Sequence, residues 1–160
     1  MDNYEVIDCL TQIRVRLDWQ KAVTERWPIG QHVVSEKDEL ANMYVGLYST
    51  NNDFDVCYRT PEARPFRVND VARDIGKWPK HQGRISLFAY SFIACTAPVK
   101  FILPAYQLPG DNKFILDGAH RAVALVLADV KFEVTFLLIR GPIDCAALPD
   151  LIHWMDRPGA

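Results

Sequence analysis

Val6, Leu10, Ile13 and Leu17 recur at the spacing of one helix face. The pattern predicts a first helix from about Tyr4 to Arg26, ended by Pro28 and Gly30. Ser35, followed by Glu36, Lys37 and Asp38, reads as an N-cap with acids in the first turn. Leu40, Met43, Tyr44 and Leu47 supply the apolar stripe of a second helix. STNNDFD at 49–55 is a loop rich in turn residues. Residues 1–58 therefore read as a helical N-terminal extension.

The rhythm changes after that loop. Arg64 to Val68 reads as a short strand, with Asn69 capping a brief helical turn through Ile75. GKWPKHQG at 76–83 reads as a polar loop. ISLFAYSFIA at 85–94 is apolar on most sides, a buried helix or a buried strand. VKFILPAY is a strand, with an edge-type proline at Pro104. LPGDNK makes a turn and FIL a further strand. Asp117-Gly118 is a sharp corner that opens a buried helix, AHRAVALVLADV. KFEVTFLLI then alternates, with Phe132, Val134, Phe136 and Leu138 on one face of a strand. Leu148, Leu151, Ile152 and Trp154 pack a short C-terminal helix, broken at Pro149, back onto the body. Helices interleaved with strands predict an α/β or α+β sheet domain over residues 59–160.

At 160 residues one compact domain is expected, and 49% hydrophobic residues are enough to fill its core. The start, MDNYEVIDCL, lacks the basic and apolar blocks of a secretory signal. The longest apolar runs, such as AVALVLA, are too short to span a bilayer. Cys9, Cys57, Cys95 and Cys145 form no CxxC pair and have no histidine at ligand spacing, which argues against a zinc site or a disulfide framework. Cys95 reads as a core residue, and reduced thiols fit a cytoplasmic address. Charge is uneven: residues 1–58 carry five basic and ten acidic side chains, residues 59–84 seven and three. The acidic part could face a basic protein partner and the basic stretch a phosphate; solvated surface accounts for both equally well.

The chemistry concentrates in FILDGAHRAVAL. A strand, a glycine corner and a helix make an anion site, because the first helical N–H groups have no intrahelical partner and the helix dipole adds positive charge there. Gly118 lets a ligand approach the backbone, and His120 and Arg121 add donors. Asp117 could hold magnesium, orient His120 or take a proton. The plainer alternative is that Asp117 caps the helix, Gly118 makes the turn and Arg121 reaches solvent along its aliphatic stem. His32, His81 and His153 are scattered and read as surface or cap histidines. Arg59, Arg64, Arg67 and Arg73 either approach the corner or lie in solvent.

APVKFILPAYQLPGDNKFILDGAHRAVALVLADVKFEVTFLLI resembles the core of the ParB/sulfiredoxin-like superfamily, with the Asp-Gly-x-His-Arg box at its centre. The resemblance covers about residues 64–140. It implies an α+β fold with a mixed sheet and flanking helices, and a nucleotide whose phosphates lie against Gly118, Ala119, His120 and Arg121, with Asp117 and His120 as catalytic residues. Ala119 stands where sulfiredoxins carry their reactive cysteine, and the box lacks the arginine-rich form of the partitioning proteins. The form is closest to the free-serine-kinase-like branch, which needs a further carboxylate as base; Glu62 and Asp70 are the nearest candidates. The resemblance thus implies a phosphotransferase using ATP or ADP, or a protein gated by these or CTP, with Mg2+ at Asp117. The alternative is a non-catalytic binding protein, such as an antitoxin or immunity protein neutralising a basic toxin; a nuclease comes third. Nucleic acid and membrane are not expected partners, and a homodimer stays open.

Overall fold

A computed structural model describes residues 16–155. Val6, Leu10 and Ile13 lie outside the described residues. The chain forms α1 (Trp19–Thr24), β1 (Ile29–Val34), α2 (Lys37–Ala41), β2 (Tyr44–Ser49), β3 (Arg64–Arg67), α3 (Val68–Arg73), α4 (Pro79–Ile93), β4 (Val99–Gln107), β5 (Lys113–Ile115), α5 (Ala119–Ala128) and β6 (Phe132–Ile139). Short 3-10 turns lie at Ile75–Lys77, Pro109–Asp111 and Pro149–His153. The architecture is α+β. The six strands form one mixed sheet in the order β1-β6-β4-β5-β2-β3. β6 runs parallel to β4, and β5 parallel to β2; the other neighbouring pairs are antiparallel.

The first 58 residues depart from the helical expectation. The helix around Trp19 starts only after Arg16 and Leu17, where the backbone bends, and Asp18 caps it by accepting from the Lys21 N–H at 2.9 Å. β1 follows Pro28 directly and pairs with β6 over six residues. The stripe expected to form a second helix is split. α2 ends at Ala41, and Tyr44 to Ser49 run as a strand inside the sheet. YVGLYS carries the β-branched and aromatic residues that fit a pleated, buried surface, and packing against β5 and β3 outweighs the apparent helical spacing.

GKWPKHQG is not a loop. Trp78 is fully buried, and Pro79 occupies the first turn of α4, where its missing N–H costs nothing. Gly83 sits on an open face of α4, so the helix runs through it. The segment 85–94 is helical, and it buries Ile85, Ala89 and Phe92 while exposing Leu87, Tyr90 and Ile93. Cys95, just past its end, is exposed rather than a core residue. Pro104 lies on an interior strand. Its carbonyl accepts from the Leu116 N–H at the point where the β4–β5 ladder ends, so the missing proline N–H breaks no strand pairing. The C-terminal turn begins at Pro149 instead of breaking there; it buries Leu151, with Leu148 and Trp154 buried beside it, and leaves Ile152 exposed.

Both faces of the sheet are covered. On one, α3, α4 and α5 pack over a core that includes Leu103, Ile115, Val123 and Phe136. On the other, Trp27, Tyr106, Leu137 and Trp154 form a second core with the segments that flank the sheet at either end of the chain. Among the described residues no helix is long and apolar enough to cross a membrane.

Candidate functional site

β5 ends at Ile115, Leu116 and Asp117 turn the chain, and α5 starts at Ala119. Gly118 is the N-cap, with φ of 88° and ψ of 16°, in the left-handed region that favours glycine. A Cβ there would lie 2.6 Å from Leu103 Cδ2 and 3.0 Å from Cδ1. The corner therefore requires glycine twice, by its backbone and by the floor beneath it. Asp117 does not cap the helix: no side chain accepts from its first turn. The leading amides of Ala119, His120 and Arg121 come ahead of the first i to i−4 bond of the helix, from the Ala122 N–H to the Gly118 carbonyl at 2.9 Å.

These residues line a cavity of about 670 Å3, within the size range of small-molecule sites. Its lining mixes apolar and charged groups: Phe88, Phe101, Phe114 and Leu148, the guanidinium groups of Arg16, Arg84 and Arg121, the imidazoles of His81 and His120, and the carboxylates of Asp117 and Asp150. Arg121 lies over the Phe101 ring at 5.3 Å from its centroid and 3.4 Å from Asp117 Oδ2. Arg84 has no acidic partner among the described residues and lies 5.9 Å from the Phe88 ring centroid. Arg16 is engaged. It donates to buried Asp150 at 2.9 Å, and the Tyr48 hydroxyl donates to the same carboxylate oxygen at 2.5 Å. Burial, then the Asp150 charge, push the Tyr48 hydroxyl far above its ordinary range.

A hydrogen-bonded row leads away from the corner. His120 Nε2 and His81 Nδ1 are 2.8 Å apart, and His81 Nε2 is 2.9 Å from Asp55 Oδ1. Lys80 Nζ holds the other Asp55 oxygen at 2.9 Å. Burial, aided by the charges of His81 and Arg84, holds the His120 imidazole below its ordinary value against the opposing pull of Asp117. Burial alone would raise the Asp55 carboxyl, but the bonds from His81 and Lys80 prevail and hold it below the ordinary carboxylate value. The loop that carries Asp55 is fixed by Phe54, whose ring meets Trp78 at 5.2 Å and Phe66 at 6.0 Å. Asp55 has a φ of 60°, a conformation that Asp tolerates better than most residues.

Glu62 and Asp70, the sequence candidates for a base, do not come to the corner. Glu62 is exposed, and neither residue lines the cavity. Asp70 instead accepts from the Arg67 N–H at 3.3 Å at the start of α3 and pairs with Arg73. Of the arginines at 59, 64, 67 and 73, none lines the cavity; Arg84 does. His81, expected on the surface, is the central residue of the row. His32 pairs with Glu39, and His153 donates to the Tyr58 carbonyl and stacks on Tyr48. Besides Arg16 and Arg84, Asp55 and His81 are site residues that sequence reasoning misses. Their only sequence signal is that both are polar and lie close to an aromatic pair, Phe54 and Trp78, that needs burial. Among the described residues no group of three or more His, Cys, Asp or Glu side chains could hold a metal ion by itself. Comparison with family models, curated proteins and solved structures finds no match to this chain.

Proposed function

We propose that the cavity at the Asp117–Arg121 corner binds a nucleotide, with its phosphates on the amides of Ala119, His120 and Arg121, and that the protein is a phosphotransferase of the ParB/sulfiredoxin-like kind. The observation that carries this reading is the uncapped start of α5 opening into a cavity lined by both aromatic rings and guanidinium groups. A nucleotide is a flat apolar base joined to a polyanion, so it matches both kinds of lining. Helix N-termini hold phosphate through open N–H groups and the dipole, and arginine adds paired donors. Arg84 and Arg121 are the two guanidinium groups placed for this. Asp117, whose one side-chain partner among the described residues is Arg121, is the carboxylate we assign to Mg2+. Magnesium often takes one or two carboxylates and otherwise phosphate and water, so one acid at this place fits. When bound, the ion would neutralise phosphate charge.

The alternative, an acidic protein that neutralises a basic partner, rests on the acidic surplus of residues 1–58. Several of those acids have internal partners: Asp18 caps α1, Glu39 meets His32 and Lys113, and Asp55 meets His81 and Lys80. That weakens the case for a free acidic face. The test is a thermal-shift comparison of ATP, ADP, CTP and GTP with Mg2+ on the wild type and Arg121→Ala. A nucleotide at about 100 times its Kd adds roughly 2.7 kcal/mol, several degrees for a domain of this size. The reading predicts a nucleotide-specific shift that disappears in Arg121→Ala. No shift with any of the four refutes it.

A further inference from the structure

We propose that Asp55, His81 and His120 form a proton relay that makes His120 Nδ1 the base for a hydroxyl or water attacking a phosphoryl group at the corner. The geometry is the 2.9 Å and 2.8 Å bonds of the row. The ring centroids of His81 and His120 are 5.0 Å apart, nearly the span of that bond plus both ring radii, so the bond lies close to both ring planes. Tautomers follow from donor and acceptor types. The Asp55 carboxylate only accepts, so His81 Nε2 carries a proton. In the neutral ring His81 Nδ1 is then an acceptor, and the proton in the next bond belongs to His120 Nε2. That leaves His120 Nδ1 as a bare lone pair, without a partner among the described residues, on a ring that lines the cavity.

The row also accounts for the fate of the proton. As the attacking oxygen forms its bond to phosphorus, its proton passes to His120 Nδ1. The bond from phosphorus to the bridging oxygen of the leaving nucleoside diphosphate breaks, and that oxygen keeps the electron pair. His120 Nε2 can hand its own proton to His81 Nδ1, and the imidazolium so formed stays bonded to the Asp55 carboxylate. His120 is the catalytic residue; His81 and Asp55 position it and set its tautomer. The titratable and charged groups around His120 are His81 and Arg84 of α4 and Asp117 and Arg121 beside it. Burial and the Arg84 charge favour a neutral His120 ring against the pull of Asp117, and the neutral ring is the form a base needs.

The inference rests on the phosphate reading of the corner, and its test separates the two. Imidazole 15N spectra of the full chain, without ligand, report tautomers directly. The relay predicts a proton on His120 Nε2 and none on Nδ1, and a 15N–15N coupling across the bond to His81. Asp55→Asn keeps a residue that tolerates positive φ, but its amide donates as well as accepts, so His81 is unlocked and the His120 tautomers mix. His81→Phe removes the acceptor and provides a second variant. A wild-type His120 protonated on Nδ1, or a tautomer that both variants leave unchanged, overturns the relay. With ATP and Mg2+ as probe, Asp55→Asn should bind as the wild type does, since Asp55 does not line the cavity. Its kcat for transfer to water should fall by about a hundredfold with KM unchanged. Equal turnover in the two proteins overturns the base role. Failure of wild-type ATP binding overturns the phosphate reading and leaves the tautomer result to stand separately.

Discussion

Gly118→Ala places a methyl group where the β5–α5 corner has neither the backbone conformation nor the space for it. At φ of 88° an L side chain is strained, which costs about 1–2 kcal/mol. The new Cβ would also stand 2.6 Å from Leu103 Cδ2. Leu103 is fully buried in the main core, so it has no solvent-facing rotamer to adopt, and overpacking of this kind costs about 1–3 kcal/mol. Together these give about 2–5 kcal/mol. Urea unfolding followed by circular dichroism would read this as a fall in midpoint of about 1–2.5 M at an m of roughly 2 kcal/mol/M, with the slope unchanged. A double-mutant cycle separates the two causes. Leu103→Ala alone costs about 2–5 kcal/mol. In the Gly118→Ala background it should cost about 1–3 kcal/mol less, because it also removes the clash. A loss under about 0.5 kcal/mol for Gly118→Ala would place it with ordinary surface changes and refute the glycine requirement. Strict additivity in the cycle would refute the contact with Leu103.

Two further outcomes follow from charged groups. At the buried carboxylate of Asp150, Arg16→Ala should cost about 1–3 kcal/mol, since it leaves that carboxylate buried without its cation; Tyr48→Phe should cost about 1–3 kcal/mol, and Asp150→Ala about 1–3 kcal/mol, since it strips the partner from the buried Tyr48 hydroxyl while half-exposed Arg16 can rehydrate. The same urea assay reads the three losses, and a loss under about 0.5 kcal/mol for Arg16→Ala would place it with ordinary surface changes and contradict the burial of the charge. The second outcome concerns pH. The folded values of His120 and Asp55 are both depressed, so the unfolded chain binds protons first on acidification. The His120 contribution is present above its ordinary value near 6.5 and is lost as pH falls through the folded value; the Asp55 contribution is lost in the same sense below about 3.9. Stability should therefore decline between pH 7.5 and 5, and less steeply in His120→Gln. An identical decline in that variant contradicts the assignment.

Local signals were legible in the sequence, and long-range ones were not. The strand, corner and helix from Phe114 to Ala128 were readable because glycine, capping and apolar spacing all act within a few residues. The alternation of β6 was readable for the same reason. β2 was not, since Leu40, Met43, Tyr44 and Leu47 imitate a helix stripe, and only pairing with β5 and β3 makes Tyr44 to Ser49 a strand. The start of α4 was hidden because Gly76, Pro79 and Gly83 look like breakers, although proline is at home in a first turn and Gly83 faces open space. The corner itself was visible. The row behind His120 was not: Asp55 and His81 lie 26 residues apart, and His81 and His120 39 apart, so nothing within a local window joins them. Glu62 and Asp70 were nearer to the expected motif and are placed elsewhere.

The central claim is that a phosphate-bearing nucleotide sits on the start of α5. Titration of 15N-labelled protein with ATP and Mg2+, followed through its backbone amide spectrum, tests that claim residue by residue. The account predicts a saturable response with its largest shifts at the amides of Ala119, His120 and Arg121, and the loss of that response in Arg121→Ala. Amides at the corner that stay in place while ATP is added in excess would contradict it.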